Sequence, residues 1–399
     1  MDIQQYLLTH SFNDLAKDHG IYPGFGKKGK QDNTKFSLNY DQIESKNSNP
    51  LTHECRGLIL QRIQNKNIES PDEVIGTTVV VARPFKRFFN YGQPEAALKS
   101  LEGSDVLVME KRDGTLGILY FDHLKTEWCI ATRSTPEADL PIQNIFEKDF
   151  TFSDLFQKCL KDMGYHNPDD FYTQLDSKFT YCFEITSPLN KVVVSYQKNE
   201  LTLLAVIETT TGKEWNYNQL KNGVAGIPFV QHWFLKTFDE LISFIVGHNP
   251  SEFEGIVAMD SEGNRVKLKH PGYLALAHIK DSACSSRRNL LELILLEKAD
   301  DAYPLLPSDF QKELLSLQEK VNKMFSFYDE HFKSLPKEGR KEFAIEVQNR
   351  KLWIGPLMNM FLGKCSSMKE FVFSLRSKEN TWSDSTIDKL LELTSTIQQ

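Results

Sequence analysis

The sequence predicts an α+β chain, with a strand-rich mixed domain over residues 1–278 followed by an all-α domain over residues 279–399. Three observations carry that expectation. At 399 residues the chain is too long for one ordinary core and suits two domains. Between about 55 and 270, short apolar runs alternate with turn residues at the period of a strand. Beyond about 280 the apolar residues recur at helical spacing instead.

Residues 1–50 open with a short helical pattern and then turn loop-like. Gly57–Leu60, Gly76–Ala82, Val106–Met109 and Thr115–Phe121 read as strands. Phe152, Leu155, Phe156, Leu160 and Met163 fall on one helical face, which predicts a helical insert near 144–175. Strand character returns at Phe179–Thr186, Val192–Tyr196, Leu201–Glu208, Gly255–Met259 and Arg265–Leu268. Leu290–Leu296, Phe310–Phe332, Arg340–Val347 and Ile387–Ile397 then show helical spacing, with Ser383 or Asp384 as a cap for the last.

Composition excludes several classes. The net charge of -7 argues against wholesale non-specific binding of nucleic acid, though not against a local basic groove. Six cysteines, at 55, 129, 159, 182, 284 and 365, form no C-x-x-C pair, so a zinc site or disulfide framework is not expected. The N-terminus lacks the basic and apolar regions of a signal peptide, and no apolar run reaches the ~18 residues of a membrane span. The expected compartment is the cytoplasm, or a host's cytoplasm for a viral protein.

The chemistry concentrates in a few short segments. In Glu110-Lys111-Arg112-Asp113-Gly114-Thr115, apolar alternation runs in and out, which places Lys111 at a strand end where it can be aimed, with Gly114 permitting the turn. The competing expectation is an ordinary surface hairpin. In Arg265-Val266-Lys267-Leu268-Lys269, Lys267 and Lys269 share one face of a strand and call for an anion between them. An edge strand with solvated lysines would look the same. Glu254, before Gly255-Ile256-Val257, and Glu184, inside Phe183-Glu184-Ile185, are carboxylates in apolar strands and need partners, whether a hard cation or a salt bridge. Arg56, Arg83, Arg87 and Arg133 offer guanidinium forks suited to phosphate. Phe88 and Phe89 read as core. Gly24-Phe25-Gly26-Lys27-Lys28-Gly29 matches a dinucleotide-binding pattern, but no apolar strand is expected to lead into it and no helix to leave it, so it reads as a basic loop, with Lys27, Lys28 and Lys30 free to touch a polyanion.

Taken in order, these segments resemble the covalent nucleotidyltransferases, and among them the phage-type RNA ligase 1 family of ATP-dependent RNA ligases. Lys111-Arg112-Asp113-Gly114-Thr115 is similar to the nucleotidyl-lysine motif. Phe183 to Pro188 with Asn190 and Tyr196, Glu254 to Val257, Val266 to Lys269, Glu54 to Gly57 and Arg83 to Asn90 resemble the family's other segments, over roughly 50–280. Arg87 stands where the family usually carries a lysine. The resemblance implies an N-terminal domain built on antiparallel sheets with flanking helices. It implies catalytic Lys111, Lys267 and Lys269. Glu110, Arg56, Arg87, Arg133, Glu184 and Glu254 would join them on the nucleotide, and Glu254 and Glu184 would contact a metal. ATP would donate AMP, with Mg²⁺ or Mn²⁺, and the partner would be RNA with 5′-phosphate and 3′-hydroxyl ends, tRNA among the candidates, acted on by a monomer. The helical domain, about the right length for the family's C-terminal domain, would bear on RNA specificity. Three rivals remain open: a GTP-using capping-type guanylyltransferase, a catalytically silent RNA-binding module and a DNA ligase. The helical tail speaks against the first and third, and the five intact residues Lys111, Glu184, Glu254, Lys267 and Lys269 against the second.

Overall fold

The computed structural model describes residues 2–26, 34–63, 67–98, 106–142, 150–190, 192, 194–235, 237–249, 252–270, 287–303, 308–377 and 382–396. Contacts divide the chain into two compact units, Met1–His278 and Ile279–Gln399. The junction near 278 lies outside the described residues, as do Cys284, residues 144–149 of the expected insert and Lys27, Lys28 and Lys30.

The first unit holds the strands β1 (Ile21–Gly24), β2 (Lys35–Tyr40), β3 (Arg56–Arg62), β4 (Thr78–Ala82), β5 (Phe89–Asn90), β6 (Leu107–Glu110), β7 (Thr115–Asp122), β8 (Glu127–Thr132), β9 (Phe179–Thr186), β10 (Glu200–Glu208), β11 (His232–Phe234), β12 (Gly255–Met259) and β13 (Arg265–Lys269). They form three sheets, in the orders β1-β2-β3-β4, β10-β9-β7-β8 and β11-β6-β12-β13-β5. Every pairing is antiparallel except β13 with β5.

Alternation along the strands decides what each face carries. In β9, Tyr181, Phe183 and Ile185 pack with Leu155, Phe156 and Leu160 of the helix Phe152–Asp162. The intervening Cys182 joins Ile118, Tyr120 and Ala205 on the other face, and Glu184 shares that face. In the third sheet Val108, Ile256, Ala258, Val266 and Leu268 pack against Leu241 and Ile245 of the helix Phe238–Val246. Met109, Val257, Arg265 and, beyond the strand ends, Lys111 turn the opposite way. Burial of each Val, Leu, Ile or Phe among these contributes about 1.5–3 kcal/mol, so the parity of the charged positions is fixed by their neighbours.

The second unit is all α, with helices Arg287–Leu295, Ala299–Ala302, Ser308–Ser334, Arg340–Asn349, Ile354–Phe361, Met368–Ser374 and Asp384–Thr396. Leu290, Leu314, Val321, Phe325, Phe343, Leu357, Val372 and Ile387 are buried in it. Ser383 Oγ accepts the Thr386 amide at 3.3 Å, capping the last helix. None of the described helices is long and apolar enough to cross a membrane.

Three expectations are corrected. Val192–Tyr196 is not a strand in its described residues, because the Val194 amide bonds the Asp113 carboxylate instead of a neighbouring strand. Residues 21–24 and 35–40, expected as loop, are strands: β1 carries Pro23 and Gly24, breakers that an edge strand tolerates. A strand therefore does lead into Gly24-Phe25-Gly26, but β1 pairs antiparallel with β2, whereas the strands of a dinucleotide-binding unit run parallel. The described cysteines, Cys55, Cys129, Cys159, Cys182 and Cys365, are free thiols, all buried except the partly exposed Cys129.

Candidate active site

Three strand ends meet at one carboxylate. Lys111 directly follows β6, Glu254 directly precedes β12, and Lys269 ends β13. The pairings Ile256 with Glu110 and Gly255 with Lys269 put all three side by side. The Lys111 amide donates to the Gly255 carbonyl at 2.9 Å. Glu254, 3% exposed, accepts from Lys111 Nζ at 2.7 Å on one oxygen and pairs with Lys269 Nζ at 2.8 Å on the other. Gly255 sits at φ +152°, and a Cβ there would stand 2.2 Å from the Leu268 carbonyl oxygen, so no other residue lets these ends approach.

The segment after Lys111 is not a hairpin. β6 and β7 belong to different sheets, and residues 111–114 carry the chain across from one to the other. Gly114 does not serve by a left-handed turn. A Cβ on it would lie 2.3 Å from the Ile185 carbonyl oxygen, so its role is close approach. The crossing is held by side chains and one backbone amide of a single partner segment. The Gly114 amide donates to Glu184 Oε1 at 3.1 Å, and the Asp113 amide to the Tyr196 hydroxyl at 3.0 Å. Asp113 Oδ2 accepts the Val194 amide at 2.7 Å, and Asn190 Nδ2 donates to Thr115 Oγ1 at 2.7 Å. Arg112 stacks on the Tyr196 ring at 4.6 Å and pairs with Glu110 and Glu200, each at 3.5 Å.

A pocket opens beside this centre, lined by Lys111, Glu110, Glu184, Arg56 and Arg265, with apolar walls from Phe85, Phe88, Met109, Leu204, Val230 and Val257. Phe89 is core, as its sequence suggests, whereas Phe88 lines this pocket. The electrostatics split the two carboxylates. Burial pushes Glu184 up to about 7, against the pull of Lys111 and with the push of Glu254. Burial acts on Glu254 too, but Lys111 and Lys269 outweigh it and hold its carboxyl below the usual range. Burial also raises Glu110, although Arg112 opposes it.

The arginines fall into two groups. Arg56 lies over Phe85 at 4.6 Å, and its buried Nη1 has no acceptor among the described residues. An uncommitted buried donor facing a pocket marks a place for an anionic ligand. Arg87 and Arg133 gather instead on Tyr40, 3.9 and 4.4 Å from its ring centroid. Arg87 is 5% exposed and bonds Ser45 and Asn47. Arg133 donates to the Tyr40 carbonyl at 3.1 Å. Burial would raise the Tyr40 phenol, yet Arg133, Arg87, Arg56 and Lys267 together bring it below its ordinary value. Arg83 turns away from the pocket, toward Glu54 at 3.7 Å and the Thr209 carbonyl.

Sequence reasoning missed Tyr40 and Arg265. Tyr40 lies in a stretch expected as loop. Arg265 shares the strand face of Lys267 and Lys269 and forms a two-pronged pair with Glu214, 51 residues away, which only the fold brings near. A strict alternation Arg-x-Lys-x-Lys was the available signal.

For a divalent cation, the donor set decides the mode. No group of three or more His, Cys, Asp or Glu side chains converges among the described residues. Glu254 already serves two ammonium groups and Glu184 one amide. This does not make a protein cage, but it suits a Mg²⁺ that arrives on nucleotide phosphates and water and borrows one or two carboxylates.

An α+β fold that brings a lysine, two carboxylates and guanidinium groups to one cleft has the parts that covalent nucleotidyl transfer needs. A family model described as RNA ligase matches residues 54–273, more than half of the chain. The chain belongs to this RNA ligase family. An RNA ligase of Rhodothermus phage RM378 is 25% identical over 362 residues, covering 74% of this chain and 78% of that protein. A protein of Autographa californica nuclear polyhedrosis virus, named as a candidate bifunctional polynucleotide kinase/RNA ligase, is 28% identical over 288 residues, covering 68% of this chain. The present chain spans 37% of that viral protein. A solved archaeal ATP-dependent RNA ligase shares 13% identity at a TM-score of 0.43, over 78% of each chain, which is too distant to add to the assignment.

Proposed function

We propose that the protein seals RNA 5′-phosphate ends to 3′-hydroxyl ends, with Lys111 as the group that carries AMP. The observation that carries this reading is the junction of Lys111, Glu254 and Lys269 at three strand ends beside an apolar-walled pocket. The adenine enters between Phe88, Met109, Leu204 and Val257, with Glu110 at its edge. That places the α-phosphate at the Lys111 end.

The Lys111 amine, once deprotonated, attacks the α-phosphorus, forming a nitrogen–phosphorus bond as the bond to pyrophosphate breaks. Glu254 aims the amine, and Lys267 and Lys269 neutralise charge that builds on the α-phosphate. Arg56 holds the departing pyrophosphate, and Arg87 and Arg133 support that end through Tyr40. The RNA 5′-phosphate next displaces Lys111 from the adenylate, and the 3′-hydroxyl then attacks the activated end and releases AMP. Glu184 and Glu254 would hold a Mg²⁺ brought with the nucleotide, which supplies charge neutralisation on the phosphates.

A role in RNA repair, tRNA as one substrate, a cytoplasmic setting, a monomeric state and RNA selection by the helical unit follow as parts of the same proposal. The test is end joining. Single-stranded RNA with a labelled 5′-phosphate and a free 3′-hydroxyl should become resistant to phosphatase when incubated with protein, ATP and Mg²⁺. RNA whose 3′ end is blocked should stop at the AMP-capped form. Joining with GTP but not ATP would contradict the reading.

A further inference from the structure

The pocket side of the third sheet is a ladder of three rungs. The register pairs Gly255 with Lys269, Val257 with Lys267 and Met259 with Arg265, and across β12 it pairs Val257 with Met109 and Met259 with Leu107. Residues opposite one another in an antiparallel pair share a face, so Lys269, Lys267 and Arg265 descend one wall in that order. The first rung is the reacting end, beside Lys111. The second holds Met109 and Val257, where the base is proposed to lie. Arg265 stands on the third rung, two residues or about 7 Å beyond Lys267, and still lines the pocket. Its guanidinium then stands at the edge of the base farthest from Lys111.

The donors of that guanidinium are already engaged. Nη1 and Nη2 both donate to the Glu214 carboxylate, Nη1 at 2.8 Å, and Nη1 also reaches the Gly263 carbonyl at 3.3 Å. Glu214 comes from the loop after β10, which is pinned back on that strand. The Trp215 amide donates to the Val206 carbonyl and the Glu208 amide to the Lys213 carbonyl, each at 2.9 Å. Arg265 is buried and lies over the Phe85 ring at 5.3 Å, while Glu214 stands behind it, outside the pocket lining. The two purines differ at their polar edges. Guanine offers two acceptors, O6 and N7, which an arginine fork takes with two prongs, whereas adenine offers N7 and an amino donor. A released guanidinium would favour guanine and meet the adenine amino group donor to donor. A guanidinium held on both nitrogens by a carboxylate does neither.

We infer that Glu214 is a positioning residue for nucleotide choice: by holding Arg265 it keeps the guanidinium from a guanine edge, and so favours ATP over GTP. The inference deepens the ligase reading and rests on it. Glu214 acts through Arg265 alone, so its effect falls on the choice between purines and not on the chemistry at Lys111.

The experiment measures the apparent second-order rate constant of self-labelling from α-labelled ATP and from α-labelled GTP. In Glu214→Gln the side chain has one acceptor atom in place of two, which releases a guanidinium nitrogen. The ratio of the GTP constant to the ATP constant should rise about tenfold or more. Adding Arg265→Met to that variant removes both the donor and the unpaired buried charge, and the ratio should return toward that of wild type. Glu214→Asp keeps the charge but draws it back by one methylene, and should raise the ratio about threefold or more. It decides the matter if Glu214→Gln leaves the buried guanidinium too poorly paired to fold. A structural role alone would slow labelling from both nucleotides in the same proportion. A ratio within about twofold of wild type in the folded variants would overturn the inference. So would a ratio that stays raised once Arg265 is replaced, or a wild type that labels equally from both nucleotides. Failure of the ligase reading shows separately, as wild-type protein that takes no label from either nucleotide.

Discussion

Glu254 serves two lysines at once, and that arrangement has measurable costs and uses. Lys269 is 8% exposed, and its ammonium group meets the Glu254 carboxylate at 2.8 Å. Glu254→Gln should lower the free energy of unfolding by about 3 kcal/mol, read by urea denaturation, and slow the labelling of Lys111. Glu184 predicts the opposite kind of dependence. Folded, it keeps its proton up to about pH 7, while the unfolded chain releases it in the ordinary glutamate range. The folded state thus binds more proton in that window, and its stability falls as pH rises toward about 7, then levels off. Glu184→Gln should remove that slope from urea midpoints measured between about pH 5 and about pH 8. At this scale the sequence was informative where short spacing meets strand parity: Lys267 and Lys269 share a face as expected. It was silent on Tyr40 and on Glu214, whose partners come from distant segments.

The crossing from β6 to β7 shows how elements place the reactive group. A hairpin would have left Lys111 on one sheet, exposed and mobile. The actual segment passes between sheets and is tied to residues 184–196 by Asp113, Gly114 and Thr115. Gly114→Ala puts a methyl group 2.3 Å from the Ile185 carbonyl oxygen, so the crossing must shift. The expected result is a loss of about 1–3 kcal/mol in stability together with a fall in self-labelling from ATP. Loss of stability with labelling intact would show that the crossing does not position Lys111. Strands with unbroken alternation, such as β9 and β12, were legible because both faces are filled by regular apolar positions. β1 hid behind Pro23 and Gly24, and the helix Ile354–Phe361 behind Gly355 and Pro356, which a first helical turn tolerates. The helix Met368–Ser374 is too short to declare a period and is set by Ser367, whose side chain accepts the Glu370 amide.

At the scale of the whole molecule, each unit buries its own apolar residues, from Ile118 and Phe183 in the first to Val321 and Phe343 in the second. All the groups proposed to act on the nucleotide belong to the first. A fragment of residues 1–278 should therefore fold and label itself from ATP, while joining RNA ends less efficiently than the full chain. Circular dichroism and the two activity assays check the three parts of that outcome. The change from strand to helical periodicity near 280 was plain in the sequence, because it reflects how each unit covers its core. The part played by the helical unit was not, because surface chemistry there leaves no fixed spacing.

The most direct test is the covalent step. Purified protein free of prior adenylate is incubated with Mg²⁺ and α-labelled ATP, denatured, and digested to locate the label. The account predicts label on the peptide that contains Lys111, and none in Lys111→Ala. Label that persists in Lys111→Ala, or folded wild-type protein that acquires none, would contradict it.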